Sequence, residues 1–155
     1  MKLWEYVGRL IHFLGLPIIK YLLNGSARTR VLVIYGTKVL VVKTWIGSGR
    51  WGMPGGGIHK AESKIDSAIR EVYEEVGIKL RPSDLEYVSQ RRQNDDGVNV
   101  DISLFITRIE NKKPIKRQIL EIVDAQWLEF IEINPANSSP DLFEAVRKYM
   151  HLALT

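Results

Sequence analysis

RWGMPGGGIHKAESKIDSAIREVYEEVGI, residues 50–78, is the stretch from which the rest of the chain is read. It opens on a glycine-rich loop, continues as a short helix carrying Glu71, Glu74 and Glu75, and closes at Gly77. At about 100° per residue the three glutamates fall within an arc of about 100° on one helical face. Ile65, Ala68, Ile69, Val72 and Val76 occupy the adjoining arc, so one face packs on a core while the other presents carboxylates. Three like charges so close together cost free energy unless a cation sits among them. A hard divalent ion meets that need, because Mg²⁺ takes oxygen ligands and tolerates carboxylates mixed with water.

The loop glycines serve the backbone. Gly55, Gly56 and Gly57 let the main chain approach an ion or phosphate with no Cβ in the way, and Gly77 suits a left-handed helix cap. Arg70 precedes Glu71 by one residue and Glu74 by four, the spacing of a surface i,i+4 ion pair. Glu62, near the helix start, favours the helix dipole.

Working outward, Thr29–Tyr35 and Val39–Thr44 are valine-rich and flank Gly36-Thr37-Lys38, a predicted hairpin. Residues 46–50 form a flexible crossing, in which Arg50 reads either as a solvated charge or as a phosphate contact. Leu85–Gln90 is a predicted strand, Arg91–Gly97 a polar turn, and Val98–Thr107 an alternating strand. Arg91 and Arg92 carry the same two readings as Arg50. The connection 109–116 is charged, with Lys112, Lys113 and Lys116 facing solvent. Ala125–Phe130 is a further strand, and a final amphipathic helix runs from Ser139-Pro140-Asp141 to about His151, with Leu142, Phe143, Val146 and Met150 on its apolar side. Trp45, Trp51 and Tyr87 could each stack on a base, although a core position is the commoner use of such residues.

The 155 residues, 45% of them hydrophobic, suffice for one domain with a real core. With no cysteine, disulfides, thiol nucleophiles and cysteine zinc sites are excluded, and His12, His59 and His151 have no ligand spacing. A reducing cytoplasmic setting is compatible with this. The net charge of +4 is uneven: residues 1–61 hold nine Lys/Arg and one acid, residues 62–155 thirteen and seventeen. A basic half beside an acidic metal site suits a polyanionic substrate.

Residues 3–23, LWEYVGRLIHFLGLPIIKYLL, are apolar but interrupted by Glu5, Arg9, His12, Pro17 and Lys20, which argues against a membrane-spanning helix. The segment, residues 1–25 as a unit, reads first as a helical arm packing on the domain or on a second copy in a homodimer. It reads second as a peripheral membrane anchor, with Trp4, Tyr6, Phe13 and Tyr21 at headgroup level. Residues 26–155 are then the remaining domain.

Gly56, five residues, Glu62, seven residues, then Arg70-Glu71-Val72-Tyr73-Glu74-Glu75-Val76-Gly77-Ile78 resembles a complete Nudix box, with Trp51-Gly52-Met53-Pro54-Gly55 similar to its usual lead-in. The resemblance implies an α/β fold, an α/β/α sandwich around a mixed sheet. It implies Mg²⁺-dependent or Mn²⁺-dependent hydrolysis of the diphosphate linkage in a small-molecule nucleoside diphosphate derivative, with no nucleic-acid partner. It makes Glu71, Glu74, Glu75 and the carbonyl of Gly56 metal ligands and Arg70 an orienting residue, chiefly for Glu71. It casts Glu62 as a peripheral carboxylate. Glu121, six residues before Trp127, resembles a glutamate outside the box that supplies a further ligand or the base, and reads otherwise as a surface residue. Arg50 and Arg92 are the candidate substrate contacts. Members that take ADP-ribose tend to carry a proline some fifteen residues past the box, and some that take dinucleoside polyphosphates a tyrosine; Arg92–Asp95 holds neither. A non-catalytic nucleotide-binding module and a membrane-associated hydrolase of lipid-linked diphosphates are the alternatives.

Overall fold

The computed structural model describes residues 25–45, 48–95 and 98–153. Strands β1 (Ser26–Tyr35) and β2 (Lys38–Thr44) meet across Gly36-Thr37, with Tyr35 opposite Lys38 and Gly36 at φ +56°. Helix α1 (Lys64–Val76) follows, then β3 (Glu86–Asp95), β4 (Val98–Arg108), β5 (Ile122–Glu129) and helix α2 (Pro140–Ala153). The strands form one mixed sheet in the order β3-β4-β1-β2-β5, in which β1 and β4 are parallel and the other neighbours antiparallel.

Continuous apolar runs in β1 and β2 mark strands covered on both faces. Val31, Val33, Leu40 and Val42 pack with Ala68, Val72 and Val76 of α1. Leu32, Ile34, Val39 and Val41 pack with Leu142, Ala145 and Val146 of α2 on the other side. This is the α/β/α sandwich expected, and each buried valine, leucine or isoleucine among these stabilises it by roughly 1.5–3 kcal/mol. Met150, at the far end of α2, stays 38% exposed.

The sheet is split where it matters. Beyond Ile34↔Val39 the loop 52–58 wedges between β1 and β2. Gly52 exchanges hydrogen bonds with Val42 at 2.9 and 3.0 Å, and the N–H groups of Val31 and Thr29 donate to Pro54 O and Gly56 O at 2.9 and 2.8 Å. Gly55, at φ +139°, lies so close to β1 that a Cβ there would meet Thr29 O at 2.2 Å.

Three expectations are corrected. Arg91–Asp95 is not a turn: β3 runs through it, with Arg92 opposite Asp101 and Gln93 opposite Val100. The ladder and a cross-strand ion pair outweigh the polar composition. Tyr87 and Trp45 are not core residues but 52% and 48% exposed, Tyr87 on the edge strand β3 and Trp45 just past the end of β2. Trp51 is buried. Residues 1–24, which carry the arm and anchor readings, lie outside the described residues.

Candidate active site

Ser63 caps α1 by accepting the N–H of Asp66, and Gly77 ends it at φ +74° with its N–H on Tyr73 O. Between these caps the helix turns Glu71 and Glu75 inward and leaves the Glu74 carboxylate half-exposed. Arg70 is the hub of the acidic face. Its Nη1 donates to Glu71 Oε1 at 2.8 Å and to Glu74 Oε2 at 3.1 Å, and its Nη2 donates to Gly57 O at 2.9 Å.

The chief partner of Arg70 is nevertheless Glu62. Nε and Nη2 form a fork onto its two oxygens at 2.7 and 2.9 Å, so the expectation that Arg70 serves chiefly Glu71 is corrected. A planar guanidinium offers two parallel donors to a single facing carboxylate, which Glu71 on the same helix cannot accept side by side. The Arg70 hydrogen bonds, helped by the His59 N–H, hold the Glu62 carboxyl down at about 2 despite some desolvation. Glu62 therefore anchors the arginine that holds two of the helix carboxylates.

Glu75 is the opposite case. Burial pushes its carboxyl up to about 7; the Gly55 N–H, donating to Oε2 at 2.9 Å, and the charge of Arg30 pull it back only in part, while Glu71 and Glu121 push it further up. Glu71 presses on the loop. A Cβ built on Gly56 would fall 2.5 Å from its carboxyl carbon and both oxygens.

Beside these groups lies a cleft of about 160 Å³. Val42, Met53, Val100 and Ile102 give it an apolar floor; Glu75, Gly55, Arg28, Arg30, Arg50, Gln93, Ser139 and Asp141 give it polar walls. Glu75 from α1 and Asp141 from the head of α2 share it because the loop holds β1 and β2 apart. Arg30 spans the gap, donating to Gly55 O at 2.6 Å with Nε 3.7 Å from Asp141.

Of the residues singled out in the sequence, Glu71, Glu75, Arg70 and Gly56 come together at the loop–helix junction, with Glu74 on its outer side. The Gly56 carbonyl accepts from Thr29 N–H, which leaves its second lone pair. Glu121 is exposed in the turn before β5, where its carbonyl takes the Trp45 N–H at 3.1 Å, and its charge is felt at Glu75. Arg50 stands exposed on the cleft rim. Arg92 is not among the cleft residues: it pairs with Asp101 at 3.0 and 3.1 Å, and its neighbour Gln93 faces the cleft instead. Among the described residues, no three carboxylate or imidazole groups converge closely enough to hold a metal ion.

Sequence reasoning passed over Arg28, Arg30, Gln93, Ser139 and Asp141. Arg28 and Arg30 did leave a signal, alternating with Leu32 and Ile34 in β1 so that all four share one sheet face.

A model of the NUDIX domain family matches residues 25–149. The mRNA decapping complex subunit 2 of Schizosaccharomyces pombe is 44% identical over 103 residues, 61% of this chain and 13% of that protein. Nudix hydrolase 10 of Arabidopsis thaliana is 30% identical over 128 residues, 80% of this chain and 46% of its own length. The chain thus spans less than half the length of either relative. The Caenorhabditis elegans Ap4A hydrolase binary complex superposes with a TM-score of 0.70 at 15% identity, covering 83% of this chain and 98% of that one, a likeness of fold.

Proposed function

The chain belongs to the NUDIX family, and from that premise we propose that it hydrolyses the phosphoanhydride linkage of a nucleoside diphosphate derivative with the help of a divalent cation. The observation that carries this reading is the Glu75 carboxylate, buried at the cleft with no direct cation partner among the described residues and held by a backbone N–H beside the Gly55 carbonyl. A buried carboxylate raised to about 7 by desolvation gains most from a cation that displaces its proton.

The residues suit a hard ion. Every donor at the junction is oxygen, and Gly56 lacks the side chain that would fill the space against Glu71. Glu71, Glu75 and the Gly56 carbonyl would hold Mg²⁺ or Mn²⁺, with Glu74, released from Arg70, and Glu121 turning in as further ligands, since no three of these carboxylates converge until an ion draws them together. Bound there, such an ion neutralises phosphate charge and makes a coordinated water more acidic.

The chain's own contribution is positioning. Arg70, fixed by Glu62, orients Glu71 and Glu74. Arg30 fixes the Gly55 carbonyl and thereby the loop that holds Glu75. Arg28 and Arg50 put positive charge along the cleft, where a polyphosphate would lie. Glu71 or Glu121 would accept the proton of the attacking water. Residues 26–155 form the catalytic domain in this reading, and residues 1–25 an arm that mediates homodimer or peripheral membrane contact. Among the described residues no helix is long and apolar enough to cross a membrane.

The test is a screen of nucleoside triphosphates, nucleotide sugars, ADP-ribose and dinucleoside polyphosphates with Mg²⁺ and with Mn²⁺, reading phosphate products. Metal-dependent release that Glu75→Gln lowers by orders of magnitude is expected. No metal-dependent product from any class, or a fully active Glu75→Gln protein, ends the proposal.

A second reading has its own support: the substrate is the 5′ end of an RNA. The decapping relative points to it by name, and exposed Lys79, Lys113 and Lys116 line a concavity of about 300 Å³ at the end of α1. Such a basic surface suits a trailing phosphate backbone. Adding capped and 5′-triphosphorylated RNA to the screen decides between the two readings.

A further inference from the structure

Glu121 is carried on residues 113–121, a stretch between β4 and β5 that is neither helix nor strand. Its backbone closes the end of α1. Lys116 N–H donates to Val76 O at 2.9 Å and Gln118 N–H to Glu75 O at 3.0 Å, two carbonyls that a helix end leaves without partners of its own. Gln118 O in turn accepts from Ile122 N–H at 2.9 Å and from Glu121 N–H at 3.4 Å. The main chain of Glu75 is thus joined to that of Glu121 through a single residue.

Beyond Gln118 the chain turns, and the turn buries little of itself. Ile119 is 70% and Leu120 82% exposed, so side-chain packing contributes little to where the turn stands. Trp45 holds it instead, from just past the end of β2. Its indole Nε1–H donates to Ile119 O at 3.1 Å and its backbone N–H to Glu121 O at 3.1 Å, so one residue fixes the carbonyls on either side of Leu120. A second indole, that of Trp127, donates to Lys113 O at 3.3 Å, but Trp127 also packs on the core cluster that contains Val72 and Val76. Trp45 belongs to none of the core clusters and is half-exposed. A phenylalanine would cover the same surface; the indole adds a directional donor aimed at the turn.

We propose that Trp45 is a positioning residue for Glu121: its indole N–H holds the turn 119–121 beside the end of α1, from where the Glu121 side chain turns in toward an ion at Glu71 and Glu75. This rests on the reading of that junction as a divalent-cation site, and adds a residue outside the acidic helix that governs one of its ligands. The Glu121 charge already acts on Glu75 across the gap. A turn ordered in advance need not be ordered by the ion, which favours binding. Without the indole bond the turn keeps its anchors at Gln118 and at Glu121 O, and its exposed tip at Ile119 is released.

The experiment measures amide hydrogen exchange and calorimetric Mn²⁺ affinity on the full chain, for the wild type, Trp45→Phe, Glu121→Gln and the double variant. In Trp45→Phe the Glu121 and Ile122 amides should exchange about fivefold faster, while those of Val41 and Val72 in the core keep the wild-type rate. Mn²⁺ should bind Trp45→Phe about fivefold and Glu121→Gln about tenfold more weakly than the wild type. Adding Trp45→Phe to Glu121→Gln should weaken Mn²⁺ no further, because a residue that acts through Glu121 then has nothing left to position. Wild-type Mn²⁺ affinity in Trp45→Phe overturns the inference. So do single effects that multiply in the double variant, or faster exchange throughout the core, which marks a loss of overall stability. A wild type that binds no Mn²⁺ ends the proposed function and this inference with it, whereas Mn²⁺ binding that Trp45→Phe leaves unchanged ends the inference alone.

Discussion

The carboxylate of Glu71 occupies the space in which any residue other than glycine at position 56 would place its Cβ, 2.5 Å from where that atom would be. A glycine in the loop and a glutamate on the helix are thus two halves of one contact, fifteen residues apart in the chain. Gly56→Ala is expected to push Glu71 off its position at a cost of about 1–3 kcal/mol. Activity should fall far more than stability, and comparing kcat/KM with the urea midpoint of the same protein checks this. An active Gly56→Ala protein would mean that the Glu71 position is not needed.

Glu75 makes stability depend on pH in a direction unusual for a carboxylate. Its folded value of about 7 lies above the ordinary 4.5, so between those values the folded state binds the extra proton. Metal-free stability is therefore greatest below about pH 4.5 as far as this group is concerned, and is lost as pH rises through 7, by roughly 3 kcal/mol at most. Urea unfolding in EDTA across pH 5–8 should show the decline, and Glu75→Gln should flatten it. A wild-type profile as flat as that of the variant would contradict the account of Glu75 as a desolvated acid.

The Glu62–Arg70 fork leads to a milder expectation. With the Glu62 carboxyl held at about 2, it stays ionised throughout the range in which an enzyme of this kind works. Its contribution to stability is complete above about 4.5 and fades as pH falls toward 2. Glu62→Gln should lower kcat by a modest factor, about tenfold, with no change in the shape of the pH profile, because Arg70 keeps its bonds to Glu71 and Glu74. Loss of a wild-type limb from the Glu62→Gln profile would show that Glu62 itself exchanges protons in the reaction.

Arg92 and Gly77 give two structural checks. Arg92→Ala removes an exposed pair with Asp101 away from the cleft, so KM should not change and the unfolding temperature should barely move. Gly77→Ala should cost more than about 1 kcal/mol, since φ is +74° and the new Cβ would sit 2.9 Å from Lys116 Cβ. Thermal unfolding of the two proteins, with KM for Arg92→Ala, tests both.

The sequence by itself determined the helix with its acidic and apolar faces, the glycines of the loop, the hairpin of β1 and β2, and the family. Each depends on local spacing: a 3.6-residue period, a 2-residue period, or residue types that alone tolerate a given backbone conformation. Tertiary structure decided what those residues face. Position along the chain could not reveal that Glu62 rather than Glu71 takes the Arg70 fork, that the loop splits the sheet, or that Arg91–Asp95 is strand, because each depends on how one segment pairs with another rather than on local residue type. The same holds for the cleft. Arg30, Gln93, Ser139 and Asp141 come from three separate elements, and only the packing of α2 and β3 around β1 brings them to one place, where burial rather than sequence sets the charge on Glu75.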